Sequence, residues 1–198
     1  MARIVRLLLI AFAATALLGG CATGYLLDNR VQSFTTAGAA ATPPFSYRFD
    51  RLPSQLAEPS QATLEAYADP ALHKAGLQRD DAAPRYSVQV SARIQRTLSP
   101  WADPWQPWGW GFGIGGRGWG FHRPFPYMEQ PWFQREVSVV VRELPANRVV
   151  FESHAANDGP WLDNRSVLPA MFEAALQGFP NPPTGPRRVD IQVGAAAR

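Results

Sequence analysis

The sequence predicts an α+β domain: an antiparallel sheet with two helices on one face and a long Trp/Gly-rich insertion. Three observations carry this. Several segments alternate apolar and polar residues with period two, which marks strands with one buried and one wet face. Two segments, Leu64–Ala75 and Leu168–Phe179, carry apolar residues at helical spacing. So few helices beside alternating strands are expected to share one side of the sheet. Residues 99–131 are too rich in Gly, Pro and Trp for either element.

Taken in order, a first strand is expected around Arg30–Thr35, then a linker over Thr36–Pro44. Phe45, Tyr47 and Phe49 share one face of the next strand, and Ser46, Arg48 and Asp50 the other. A helical segment runs from about Pro59 to Ala75, with Leu64, Tyr67, Ala68, Ala71, Leu72 and Ala75 as its stripe. Asp69-Pro70 suits an N-cap followed by a first helical position, so a kink or two short helices are expected there. Gly76 is a C-terminal stop. From Arg85 to Gln95, Tyr86, Val88, Val90, Ala92 and Ile94 alternate with polar residues. Phe133–Leu144 and Arg148–His154 form a hairpin through Pro145-Ala146-Asn147. A second helix spans about Ser166–Gln177, stopped by Gly178, and Arg188–Val193 alternates as a last strand. The expected domain is residues 45–193, with 194–198 as a tail, and residues 21–44 hold the possible first strand and linker.

The chain has 198 residues, of which 18% are charged, with 19 Pro, 16 Gly and one Cys. This composition excludes a highly charged disordered tail protein, and one Cys excludes an intrachain disulfide scaffold. Residues 1–20 stand apart: Arg3 and Arg6, the uncharged run Leu7–Leu18, then Gly19-Gly20 before Cys21. Twelve helical residues span about 18 Å, too short for a bilayer core of roughly 30 Å, so this is read as an export signal. Without it, 17 basic and 16 acidic residues remain. Arginines in near balance with acids, without a basic stripe, give no reason to expect nucleic acid as a partner.

Leu18-Gly19-Gly20-Cys21 resembles the lipobox of bacterial lipoproteins. The resemblance implies a diacylglyceryl thioether on Cys21, cleavage before it, and acylation of the new amino terminus. One acyl chain binds a membrane only marginally, whereas several anchor stably. Ala22 follows Cys21 where an Asp would imply inner-membrane retention, so the resemblance implies the periplasmic face of the outer membrane of a Gram-negative bacterium.

The insertion concentrates the unusual composition. Residues 101–133 hold eleven of the 23 aromatic residues and six of the seven Trp, and seven Gly lie between Gly109 and Gly120. A loop of this length is either functional or disordered. Three uses compete. Trp101, Trp105, Trp108, Trp110 and Trp119 offer ring faces to a cell-wall glycan or an envelope protein, with Arg117 and Arg123 adding cation–π contacts. The segment could instead enter the headgroup layer of a membrane, or fold back on its own sheet. Gly111, Gly113 and Gly116 match G-x-G-x-x-G, as do Gly113, Gly115 and Gly118, but neither match is followed by a helix opening, so no nucleotide cofactor is expected.

No catalytic constellation stands out. No His or Cys stands three or four residues from His73, His122 or His154, so no metal is expected. Ser153 and His154 are adjacent on a strand and point to opposite faces. Asp80-Asp81 reads as a turn pair. The expectation is a non-enzymatic binding or structural module, with an envelope hydrolase as the alternative.

Together these pieces resemble a family. Phe45–Phe49 is followed by the helix ending Ala75-Gly76-Leu77, then Pro84-Arg-Tyr-Ser-Val-Gln-Val90. After the Trp/Gly insertion come Val137–Leu144, Val149–Ser153, and a closing Leu168–Met171 to Gly178–Pro180. Over roughly residues 25–182 the chain is similar to the bacterial envelope lipoproteins grouped as domain-of-unknown-function family 4136. The resemblance implies a lipid-anchored α+β domain and supplies no catalytic residues.

Overall fold

The long alternating segment after Pro84 forms the middle of a sheet because its apolar face meets another like it. In the computed structural model, which describes residues 24–36, 41–99 and 131–194, Val88, Val90 and Ala92 stand opposite Val141, Val139 and Val137. These belong to β4 (Tyr86–Thr97) and β5 (Trp132–Glu143). The other elements are β1 (Tyr25–Thr35), β2 (Ser46–Phe49), α1 (Pro53–Leu56), α2 (Gln61–Lys74), β3 (Gln78–Arg79), β6 (Arg148–Gly159), α3 (Asn164–Leu176) and β7 (Arg187–Val193). The strands form one seven-stranded sheet in the order β3-β2-β4-β5-β6-β1-β7. Since β1 lies between β6 and β7, the sheet reaches back past position 45 to Tyr25.

The architecture is α+β, with one departure from a purely antiparallel sheet. β2 runs parallel to both neighbours, pairing Tyr47 with Tyr86 of β4 and with Arg79 of β3. Between Phe49 and Tyr86 the chain passes through α1, α2 and β3, and a crossover of that length brings a strand back parallel. All other pairings are antiparallel.

The described residues form three helices, one of them a single turn. α2 continues through Asp69-Pro70 rather than dividing there, and Pro70 lies inside it. Asp69 is not an N-cap: it accepts a hydrogen bond from the hydroxyl of buried Tyr47, tying α2 to β2. Burial and that carboxylate hold the Tyr47 phenol far above its ordinary pKa. β4 outruns β2, and its Val90 carbonyl is met instead by Gln55 Nε2 at 2.8 Å and Gln61 Nε2 at 3.2 Å.

One face of the sheet carries the core. Leu27, Val31, Val137, Val139, Val141, Phe151 and Ala155 pack with Ala68, Leu72, Val167, Met171 and Phe172 of the helices. Phe179 joins them, edge-on to Phe45 at 5.3 Å and to Phe151 at 5.1 Å. A bulge after Val141 gives β6 an extra residue, so Val150 and Phe151 are both buried. Gly178 ends α3 at φ +89°, where a Cβ would stand 3.2 Å from Pro183 and 3.3 Å from Pro182.

Phe172 is fully buried among these residues. Phe172→Ala is expected to lower the unfolding free energy by about 3–5 kcal/mol in chemical denaturation. Gln134→Ala, on the open face, is expected to change it by less than about 0.5 kcal/mol.

Candidate functional site

Cys21, Trp101, Trp105, Trp108, Trp110, Trp119, Arg117, Arg123 and His122 lie outside the described residues. What the structure fixes is where the chain comes in from one and departs toward the others. Thr97, the last residue of β4, pairs with Trp132, the first of β5. Phe133 pairs with Gly159 at the end of β6, and Tyr25 at the start of β1 pairs with Val193 at the end of β7. Tyr25 stacks on Trp161 with centroids 4.1 Å apart and planes within 16°. Antiparallel register therefore brings the start of β1, the end of β4 and the start of β5 to one end of the sheet.

The turn after β6 is folded tightly onto this end. A Cβ on Gly159 would stand 2.9 Å from the Trp161 indole, so the absent side chain lets the ring lie against the sheet. Arg135 pins the same turn from below. Its Nε donates to Asn164 Oδ1 at 2.9 Å, its Nη2 donates to the Trp161 carbonyl, and its guanidinium lies 4.9 Å from the Phe133 ring centroid. Arg135 is 2% exposed, and desolvation lowers its pKa. Opposite it in register, Asn157 Nδ2 donates to the Asp28 carbonyl at 2.7 Å. Asn29 Nδ2 bridges Leu27 and Val189 carbonyls at 3.1 Å each. This polar row ties β5, β6, β1 and β7 together beyond the apolar core.

α3 starts here too. Asp163 is its N-cap, accepting from the Arg165 amide at 3.0 Å and from Ser166 Oγ at 2.8 Å. Those two donors hold the Asp163 carboxyl below its usual range, the Ser166 hydroxyl contributing most.

The open face of the sheet is polar, and its centre brings together residues that the sequence had left apart. His154 Nε2 lies 2.8 Å from Glu152, and Nδ1 lies 3.4 Å from Glu136 on β5. Ser153, its neighbour in sequence, points to the other face, where its hydroxyl donates to the Ala175 carbonyl at 2.6 Å. Ser138 stands opposite His154, but both imidazole nitrogens already face carboxylates. A serine relay needs one of those nitrogens. Toward the strand ends, a shallow groove of about 240 Å³ is lined by Arg30, Arg93, Gln95, Gln134, Glu136 and Asp158. Asp80 caps a turn by accepting from Ala82 and Ala83, and Asp81 pairs with Arg79 at 3.1 Å. His73 is exposed on α2, 3.8 Å from Asp69. Among the described residues no group of three His, Cys, Asp or Glu side chains is placed to hold a metal ion. No described helix is long and apolar enough to cross a membrane.

Sequence reasoning missed Arg135 and the His154 pairings. For Arg135 a signal exists: it sits in register with Val137, Val139 and Val141, on the face that alternation assigns to the core. For His154 none exists, because Glu136 meets it only through the pairing of β5 with β6.

The family model described as Domain of unknown function (DUF4136) matches residues 32–181. No curated protein matches the chain. Among solved structures, a PDZ domain protein from Parabacteroides distasonis ATCC 8503 is similar, at 13% identity and a TM-score of 0.47. That match covers 86% of this chain and 39% of the other, so the chain spans about two fifths of that protein's length. The PelC dodecamer from Paraburkholderia phytofirmans is similar at 11% identity and a TM-score of 0.43, over 81% of this chain and 100% of that one.

Because the folded Asp163 carboxyl lies below its usual range, the unfolded chain takes up its proton first as pH falls. Its contribution to stability is therefore full above the ordinary carboxylate pKa and is lost as pH drops through the folded value. Asp163→Asn is expected to melt below the parent at pH 6, with the gap narrowing toward pH 2 in thermal scans.

Proposed function

The chain belongs to the DUF4136 family, and from that premise we propose that it is a lipid-anchored module of the cell envelope, held at the periplasmic face of the outer membrane. The reading has it contact an envelope protein or a cell-wall glycan without performing catalysis. One observation carries it. Positive charge, a twelve-residue apolar run, small residues and the sole Cys stand in the order that an exported, lipidated amino terminus requires, and β1 starts at Tyr25, four residues after Cys21. Four residues span at most about 14 Å, so lipids on Cys21 would hold the domain close against the bilayer.

A binding role is favoured by the contrast between the two kinds of surface. On the open sheet face, the His154 imidazole has carboxylates on both nitrogens. The aromatic segment offers Trp faces suited to stacking on sugars or on a protein partner.

Cys21→Ser is expected to move the protein from the membrane pellet to the soluble periplasmic fraction. Continued membrane fractionation of that variant contradicts the anchor. For the glycan reading, joint replacement of Trp108, Trp110 and Trp119 by Ala is expected to abolish retention on purified peptidoglycan in a pull-down. Unchanged retention sends the search for a partner elsewhere.

A further inference from the structure

The two ends of the sheet differ in character. At the far end, Glu143 bridges Arg85 at 3.8 Å and Arg148 at 2.7 Å. The end where β1 begins exposes more apolar side chains. Leu26 is 57% exposed, Leu98 72% and Leu162 71%. They are spread across the end of the sheet, on β1, just after β4, and between β6 and α3. Trp132 and Trp161 stand among them, each half-buried, with Trp132 Nε1 donating to Asp158 at 3.3 Å. Exposed Arg96 and Arg165 flank the same end.

We propose that this end of the sheet rests on the phospholipid headgroup layer, with Leu26, Leu98 and Leu162 reaching to the acyl boundary and Trp132 and Trp161 at headgroup level. The inference deepens the proposed function and rests on Cys21 being the site of lipidation. Two features select a bilayer as the occupant. The chain between Cys21 and Tyr25 reaches no more than about 14 Å, so a lipid on Cys21 brings the membrane to this end before any other. The chemistry also matches an interface. Indole rings with one polar edge prefer headgroup depth, isolated leucines gain by leaving water, and arginines favour lipid phosphates. The far end, by contrast, has its arginines paired with Glu143, carries no described Trp, and exposes one large apolar side chain, Phe34, at 50%.

The test uses the full-length lipidated protein in vesicles of phosphatidylethanolamine and phosphatidylglycerol. Acylation of Cys21 leaves no native thiol to label. A fluorophore is placed on Leu162→Cys in one sample and on Asn147→Cys, in the β5–β6 turn at the opposite end, in another. Flotation with the vesicles reports the anchor. Quenching by spin-labelled lipids reports the orientation, and is expected to be at least threefold stronger at position 162 than at 147. If Leu162→Cys fails to fold, Leu98→Cys takes its place. Protein that floats with both positions equally unquenched overturns the orientation while leaving the anchor intact. Protection of position 162 from aqueous iodide without lipid quenching also overturns it, and assigns the surface to a protein partner or a second copy. Protein that carries no lipid and does not float removes the anchor, and this inference with it.

Discussion

Val88, Val90, Val137, Val139, Val141 and Val31 lie on one face of a single sheet, and the fold is organised around keeping water from them. Near-continuous apolar burial on one side with polar residues on the other is a stable arrangement only if something apolar covers the first side. α2 and α3 supply that cover through Ala68, Leu72, Met171 and Phe172. The small residues Ala71, Ala174 and Ala175 let the helices approach closely, and the aromatic trio Phe45, Phe151 and Phe179 closes the far corner. The opposite face is left free to be polar, and hence to carry Gln32, Glu136, His154 and Arg93 without cost to the core.

The same strand pairings decide where the chain's special segments emerge. With β4, β5, β6, β1 and β7 antiparallel in that order, the end of β4, the start of β5, the end of β6, the start of β1 and the end of β7 converge. The helices do not fill that end, and a different chemistry holds it: the Arg135 guanidinium on neutral acceptors, Asn157 and Asn29 on backbone carbonyls, and the Tyr25–Trp161 stack. Burying a guanidinium on neutral acceptors, without a carboxylate among its described partners, is costly. Here it fastens the turn leading into α3.

Much of this was legible in the sequence, and the limits have physical causes. Period-two alternation assigned Tyr86, Val88 and Val90, and likewise Val137, Val139 and Val141, to buried faces, because side chains of a strand must alternate. Alternation does not encode direction, so nothing in Phe45–Asp50 distinguished a parallel neighbour from an antiparallel one. Pro70 reads locally as a helix start, yet packing of Ala68, Ala71 and Leu72 on the core keeps α2 unbroken around it. β6 runs on to Gly159 through Asn157 and Asp158, poor strand formers held by pairing with Gln134 and Arg135. Asn29 similarly hid the first half of β1, since a polar residue on the buried face breaks the pattern that would have revealed it. The candidate site was the least legible part: its residues come from β1, β5, β6 and the turn before α3, and only long-range register joins them.

The proposed function tethers the folded sheet to a membrane through the residue four positions ahead of it. The most direct measurement is the intact mass, and the fragmentation at the amino terminus, of the native protein extracted from membranes. The expected product is a chain starting at Cys21, with a diacylglyceryl group on its sulfur and an acyl group on its nitrogen. A chain that keeps residues 1–20, or one that starts at Cys21 with a free thiol, contradicts it.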